Sequence, residues 1–162
     1  MRFLFVLLAA LGLAAPATAQ QQTLTEAQAQ VTSCLFAIDA ETTWPQCAGL
    51  LFAPCREQEV GTEGHVACLR EQQQAWQGAM MGQVSLLSEI LTTDGSNELT
   101  QLMGGWINLI AQNCGEVAST KEGLAARSAE LGCQISEIAG ATTEFLACAE
   151  GLSSAPYCVI QE

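Results

Sequence analysis

Residues 62–91, TEGHVACLREQQQAWQGAMMGQVSLLSEIL, carry the pattern that decides the fold. Apolar side chains recur there at steps of three and four, which is the spacing of one face of an α-helix. The positions on this stripe are Val66, Leu69, Gln73, Trp76, Met80, Val84, Leu87 and Leu91. Because Gln73 is the single polar member, the pattern predicts one long amphipathic helix from Thr62 to Leu91.

Upstream of this stretch the sequence predicts two further helices. Apolar residues at helical spacing indicate a first helix from about Thr25 to Ala40. A short second helix fits Trp44 to Phe52, because Pro45 suits the first turn of a helix and Pro54 ends the element.

Downstream, residues Thr92 to Ser96 form the clearest turn signal, and a helix is expected to start near Ser96 or Asn97. Its stripe is Leu99, Leu102 or Met103, Trp106, Leu109 or Ile110, Asn113 or Cys114, and Val117. Ser119 to Glu122 matches a capping box, which predicts a last helix from about Thr120 to Leu152. The inner stripe of that helix is Leu124, Leu131, Ile135, Ile138, Thr142, Phe145 and Ala149. The fold class expected is all-α: a helical bundle with about three long helices and short accessory helices.

The N-terminus has the three-part layout of a secretory signal peptide. Arg2 gives a positive start, Phe3 to Ala15 is a short apolar run, and Ala17 to Ala19 offers small residues for cleavage. We therefore expect residues 1–19 to be a signal peptide and residues 20–162 to form a single domain that is periplasmic or secreted. We expect no membrane anchor, because no other apolar stretch is long enough to cross a bilayer.

The chain is strongly acidic, with a formal net charge of −12. Without residues 1–19, four basic residues face seventeen acidic ones, which gives −13. Such a charge argues against nucleic acid or anionic lipid as a partner and favours either a cationic partner or solubility alone. A candidate partner surface comprises the acidic residues near turns, which are Asp39, Glu41, Glu57, Glu59, Glu63 and Asp94.

The eight cysteines are even in number, and an exported chain enters an oxidising compartment, so four disulfides are expected. The first four cysteines are spaced almost symmetrically about Pro54, as nested bridges in a helical hairpin would be. The pairing hypothesis is Cys34–Cys68, Cys47–Cys55, Cys114–Cys133 and Cys148–Cys158. Eight cysteines allow about a hundred pairings, so other connectivities stay open.

The sequence carries no catalytic or metal-binding pattern that we recognise. His65 is the single imidazole, and it is interpreted as an exposed polar residue in the first turn of a helix. Cysteines held in disulfides are not available as thiolate nucleophiles or zinc ligands. We therefore expect a protein that is not an enzyme and that needs no cofactor or metal.

The spacing of tryptophan and cysteine resembles the LprI-type lysozyme-inhibitor family, a group of exported helical domains. Cys68-Leu69 followed by Trp76 is similar to one helix of that family. Leu99, then Trp106-Ile107, with Cys114 eight residues after the tryptophan, is similar to the next. Cys133 falls where the family has a cysteine opening its following motif. The residues at the core of this family motif are Leu69, Trp76, Leu99, Trp106 and Ile107, and core packing is expected for Trp76 and Trp106.

The resemblance implies a periplasmic protein that blocks a lysozyme by direct protein–protein contact, and lysozymes are usually basic. The chain departs from the family at polar motif positions: Met103 and Gly104 stand where the family usually has Gln and Arg, and Ile110 replaces a second Arg. The chain lacks those polar side chains, so a function that depends on them does not follow from the resemblance. The alternative is a periplasmic structural or scaffolding protein with no lysozyme partner.

Overall fold

Three long helices make up most of the computed structural model, which describes residues 29–30, 33–37, 46–47 and 55–161. They are α1 (Glu63–Ile90), α2 (Thr93–Ala118) and α3 (Gly123–Ala149). Within the described ranges the only extended pairing is an isolated bridge between Leu91 and Ile160. The all-α, disulfide-stapled fold predicted from the sequence is confirmed.

The N-terminal predictions fall largely outside the described residues. Residues 29–30 and 33–36, within the predicted first helix, are helical, as are residues 46–47 within the predicted second helix. Ala37, also within the predicted first helix, lies in a turn. The other residues of both predicted helices lie outside the described residues, as do the expected signal peptide at residues 1–19 and the acidic pair Asp39 and Glu41.

Helix α1 forms almost as its sequence predicts. Thr62 caps its N-terminus, because the threonine hydroxyl accepts a hydrogen bond from the backbone N–H of His65 at 3.2 Å. The helix ends at Ile90, one residue before the predicted limit. Its buried residues are Val66, Leu69, Gln72, Ala75, Trp76, Met80 and Leu87.

Helix α3 is the centre of the molecule, because α1 and α2 each pack mainly against it. Leu131, Ile135 and Phe145 on its predicted inner stripe are buried. Leu124, also assigned to that stripe, is exposed, since it lies in the first turn of the helix. The central position of α3 places one face of it under α1 and another under α2.

The helix boundaries on either side of α2 differ from prediction. The turn between α1 and α2 is shorter than expected, and α2 starts at Thr93 because the Thr92 hydroxyl caps it by accepting from the N–H of Gly95. The capping box does not form. The Ser119 hydroxyl instead donates to the Glu116 carbonyl, and α3 starts at Gly123 with no side-chain cap.

The structure forms four disulfides, and two of them differ from the predicted scheme. Cys114–Cys133 ties α2 to α3, and Cys148–Cys158 ties the C-terminal segment to α3, as predicted. The nested pairs Cys34–Cys68 and Cys47–Cys55 are wrong. The structure joins Cys34 to Cys47 and Cys55 to Cys68.

The observed pairing of Cys55 with Cys68 has a physical reason in the segment before α1. Gly61 adopts a φ of +83°, a left-handed conformation that glycine reaches at little cost, and the chain reverses there. This reversal places Cys55 beside the second turn of α1, where Cys68 lies. The symmetric cysteine spacing therefore reflects two local loops of equal separation, 13 residues each, and not one hairpin.

The C-terminal segment docks on the connection between α1 and α2. The backbone N–H of Gln161 donates to the Ile90 carbonyl, and the N–H of Thr92 donates to the Val159 carbonyl, both at 2.8 Å. Together with Cys148–Cys158, these bonds hold residues 153–161 against the helices. The segment thereby places Tyr157 next to α3.

Candidate binding surface

Helix α2 exposes half of its large apolar side chains. Its buried residues are Gly95, Leu99, Ile110 and Cys114. Leu102, Ile107, Leu109 and Val117 are all exposed. The predicted stripe of α2 left two pairs of alternatives. In the structure Met103 and Ile110 pack against the core, whereas Leu102 and Leu109 face outward.

The residues that carry the family resemblance are divided between the core and the surface. Leu69, Trp76 and Leu99 are buried. Trp106 is half-buried and packs against the core, whereas Ile107 is 59% exposed. Since α2 covers α3 with a narrow face, a residue one position along from Trp106 points away from the core.

Two cavities flank Trp106. The first, which we call the acidic cavity, has a volume of about 390 Å³ and lies between α2, α3 and the C-terminal segment. The residues that define it are Trp106, Glu137, Gly140, Glu144, Phe145 and Tyr157. The second, the glutamine cavity, has a volume of about 410 Å³ and is defined by Gln73, Gln77, Met80, Trp106, Ile107 and Gln134. Both volumes lie within the range of small-molecule sites.

Aromatic rings and carboxylates give the acidic cavity its chemistry. The rings of Phe145 and Tyr157 lie edge to face, with centroids 6.0 Å apart and planes at 80°. The Tyr157 hydroxyl is buried and has no hydrogen-bond partner among the described residues. Burial raises the pKa of Tyr157 to about 12, and the negative charge of Glu144 adds to that rise. The hydroxyl is therefore neutral at physiological pH.

The glutamine cavity is edged by a polar chain that joins α1 to α3. The Gln73 amide donates to the Gln134 side-chain oxygen, and the Gln134 amide donates to Glu130. Arg127 forms an ion pair with the same Glu130 at 2.6 Å. This chain uses its polar groups internally, so the cavity presents mainly amide and apolar surface.

The acidic residues proposed as a partner surface do not form one patch. Glu57, Glu59 and Glu63 are exposed around the start of α1, and Asp94 is exposed at the start of α2. Asp94 follows the far end of α1, whose 28 residues span about 40 Å. The structure thus groups three of these residues and separates the fourth from them.

His65 is placed differently from its sequence interpretation. Its ring is half-buried, and Nδ1 shares a hydrogen bond of 2.9 Å with the Ser128 hydroxyl on α3. A serine–histidine pair is the core of many nucleophilic sites. Here Ser128 is buried at 5% exposure, and the surface depression that His65 lines does not include it. The pair therefore links α1 to α3.

The acidic cavity was not predicted from the sequence. The sequence feature that could have revealed it is the predicted Cys148–Cys158 bridge. Tyr157 precedes Cys158, and Phe145 lies one helical turn before Cys148. A bridge at those positions brings the two rings together. Glu137 and Glu144 are seven residues apart on α3 and so lie on the same face of the helix.

Comparisons with protein-family models, with curated proteins and with solved structures find no match to this chain. Within the described ranges, the helices are not long and apolar enough to cross a membrane. The same part of the chain contains no cluster of three or more histidine, cysteine or carboxylate side chains suited to a metal ion.

Proposed function

We propose that this chain is an exported acidic binding protein that acts by contact with a basic protein, and that a lysozyme is the partner. The observation that carries the proposal is the uncompensated charge of the surface. Among the described residues, thirteen carboxylates face four basic side chains, and a single ion pair, Arg127–Glu130, forms. Helix α2 itself carries Asp94, Glu98 and Glu116 and no basic residue.

Charge of this kind accelerates the encounter with a basic protein. A field of one sign steers an oppositely charged partner, which raises the association rate and makes it depend on salt. Eleven of the thirteen described carboxylates are exposed and so available for this steering. The class of partner comes from the resemblance to lysozyme inhibitors, which are exported helical proteins of similar cysteine and tryptophan spacing.

The exposed apolar side chains of α2 supply the anchors of an interface, which charge alone does not provide. Interfaces require apolar anchors at their centre, with polar groups at the rim. Leu102, Leu109 and Val117 are exposed on α2, while Glu98 and Glu116 are exposed on the same helix. Helix α2 therefore supplies both apolar anchors and acidic rim groups, and we propose it as the contact element.

A turbidity assay of cell-wall lysis tests the function. Purified protein with its disulfides intact, at micromolar concentration, is expected to slow lysis by a basic lysozyme, and raising the ionic strength is expected to weaken the inhibition. Several lysozyme classes are assayed in parallel. Absence of inhibition for every class contradicts the proposal and favours a structural or scaffolding role, in which case pull-down from the cell envelope identifies other partners.

A further inference from the structure

One face of α3 forms the floor of the acidic cavity. Glu137, Gly140, Ala141 and Glu144 line it at spacings of three, four and seven residues, so they share that face. A Cβ atom added at Gly140 would meet nothing within 4 Å. The two small residues therefore leave open space between two carboxylates that are two helical turns, about 10 Å, apart along the helix.

The walls of the cavity are aromatic. Trp106 from α2, Phe145 from α3 and Tyr157 from the C-terminal segment all line it. The nearly perpendicular planes of Phe145 and Tyr157 present rings in two orientations. Aromatic faces attract cations electrostatically, most strongly when water is excluded.

Three polar groups in the cavity have bonding capacity that a ligand can use. The Tyr157 hydroxyl, on a side chain 5% exposed, has no hydrogen-bond partner among the described residues. Glu137 and Glu144 form no ion pair there, and Glu144 accepts a hydrogen bond only from the Ser153 hydroxyl. A buried hydroxyl left unpaired costs free energy, which a donor such as a protonated amine recovers.

We propose that the acidic cavity binds a small protonated amine attached to an apolar body. The ammonium group lies among Glu137, Glu144 and the Tyr157 hydroxyl, and the apolar body lies against Trp106 and Phe145. This site takes a free small molecule and does not depend on the lysozyme proposal, because Leu109 and Val117 on α2 lie outside the cavity, although Leu102 lines it.

The glutamine cavity is the internal comparison. It has nearly the same volume, about 410 Å³, and shares Trp106, but carboxylates, Phe145 and Tyr157 do not line it. A ligand that binds by apolar burial alone enters either cavity. A ligand that needs a negative charge binds only the acidic one.

Calorimetric titration of the disulfide-intact protein with n-hexylammonium, and with 1-hexanol as the neutral analogue, tests the proposal at neutral pH. We expect one hexylammonium per protein molecule, with hexanol at least about tenfold weaker, since a hydrogen bond to a charged group contributes about 1.5–3 kcal/mol. Equal affinities for the two probes, or no detectable hexylammonium binding, overturn the proposal.

Gly140→Leu tests the location of the site. The leucine fills the cavity, while replacing a helical glycine keeps or raises thermal stability. Hexylammonium binding is therefore expected to disappear in a protein that still folds. Gly132→Leu is the matched control on the same helix, where an added Cβ also meets nothing within 4 Å, and it is expected to leave binding unchanged. Undiminished binding by the Gly140→Leu variant contradicts the assignment.

The double variant Glu137→Gln/Glu144→Gln tests the charge requirement. It is expected to bring hexylammonium affinity down to that of hexanol. Glu89→Gln/Glu116→Gln, which removes the same charge from exposed positions elsewhere, is expected to retain the preference. The same loss of affinity in both double variants would show that net charge and not the cavity attracts the amine, which overturns the proposal.

Discussion

Helices α1 and α2 are of similar length, 28 and 26 residues, but they attach to α3 in different ways. Seven residues of α1 are buried, among them Trp76, Leu69 and Leu87. Four residues of α2 are buried, and two of these are Gly95 and the disulfide-bonded Cys114. Apolar burial therefore holds α1, whereas a covalent bridge and a docked C-terminal segment hold α2.

This difference between the helices assigns folding stability to α1 and leaves α2 for partner contact. Burial of large apolar side chains is the main source of folding free energy, so the α1–α3 interface is the stable body of the protein. A disulfide allows α2 to remain folded while it exposes apolar side chains, because the bridge restricts the unfolded chain. The exposed face of α2 is then free for a partner.

The largest expected effect compares two tryptophans. Trp76→Ala removes a fully buried side chain from the α1–α3 interface and is expected to cost about 3–5 kcal/mol. Trp106→Ala, in the half-buried position on α2, is expected to cost about 1 kcal/mol. Urea unfolding followed by circular dichroism measures both. Equal losses would contradict the proposed division between the two helices.

Removal of the bridge between α2 and α3 is expected to have the next largest effect. Cys114→Ala/Cys133→Ala deletes that bridge and is expected to cost about 2–4 kcal/mol. Hydrogen exchange should become faster in α2 while α1 stays protected, because the bridge rather than burial holds α2. In the control Cys148→Ala/Cys158→Ala, the faster exchange should appear in the C-terminal segment. Uniform acceleration along all three helices would show that the bridge supports the whole fold.

Gly95→Ala tests the docking of the C-terminal segment. A Cβ atom at Gly95 would lie 2.6 Å from the Tyr157 carbonyl oxygen, so the backbone of the segment must move. The expected cost is about 1–3 kcal/mol. Gly104→Ala, where an added Cβ meets nothing within 4 Å, is expected to stabilise the helix by up to about 1 kcal/mol. Thermal unfolding measures both variants. If Gly95→Ala causes no loss of stability, the docking of the C-terminal segment is contradicted.

The smallest expected effect is a pH dependence from Tyr157. Its pKa is raised from 10.0 to about 12 in the folded protein. The folded state therefore holds the proton more tightly, and its contribution to stability is complete below pH 10 and is lost as the pH rises towards 12. Tyr157 is the one tyrosine of the chain, so phenolate absorbance reports it alone. A titration midpoint near pH 10 in the folded protein would contradict the burial of Tyr157. The Tyr157→Phe variant should lack this pH dependence of stability.

The long helices were predictable because each carries a strong apolar stripe. The stripe of Val66, Leu69 and Trp76 sets the register of α1, and Thr62 provides a recognisable cap. The stripe on α2 was ambiguous, because Leu102, Met103, Leu109 and Ile110 form two adjacent apolar faces. Periodicity does not choose between two such faces, and only the packing against α3 decides which one is buried.

Features that depend on tertiary contacts escaped prediction. The pairing of Cys55 with Cys68 depends on the chain reversal at Gly61, whose left-handed conformation the sequence pattern does not specify. The acidic cavity depends on where the C-terminal segment places Tyr157. His65 looked like an exposed polar residue because its partner, Ser128, is 63 residues away in the sequence.

The most direct test of the proposed function measures the affinity for a basic lysozyme in two matched variants. Leu109→Asn alters the exposed face of α2, and Leu86→Asn alters an exposed leucine of α1, with the two side chains 52% and 44% exposed. We predict that Leu109→Asn weakens binding by about tenfold, in line with loss of an apolar anchor, and that Leu86→Asn leaves it unchanged. Equal affinities for both variants and the wild type would contradict the assignment of α2 as the contact element.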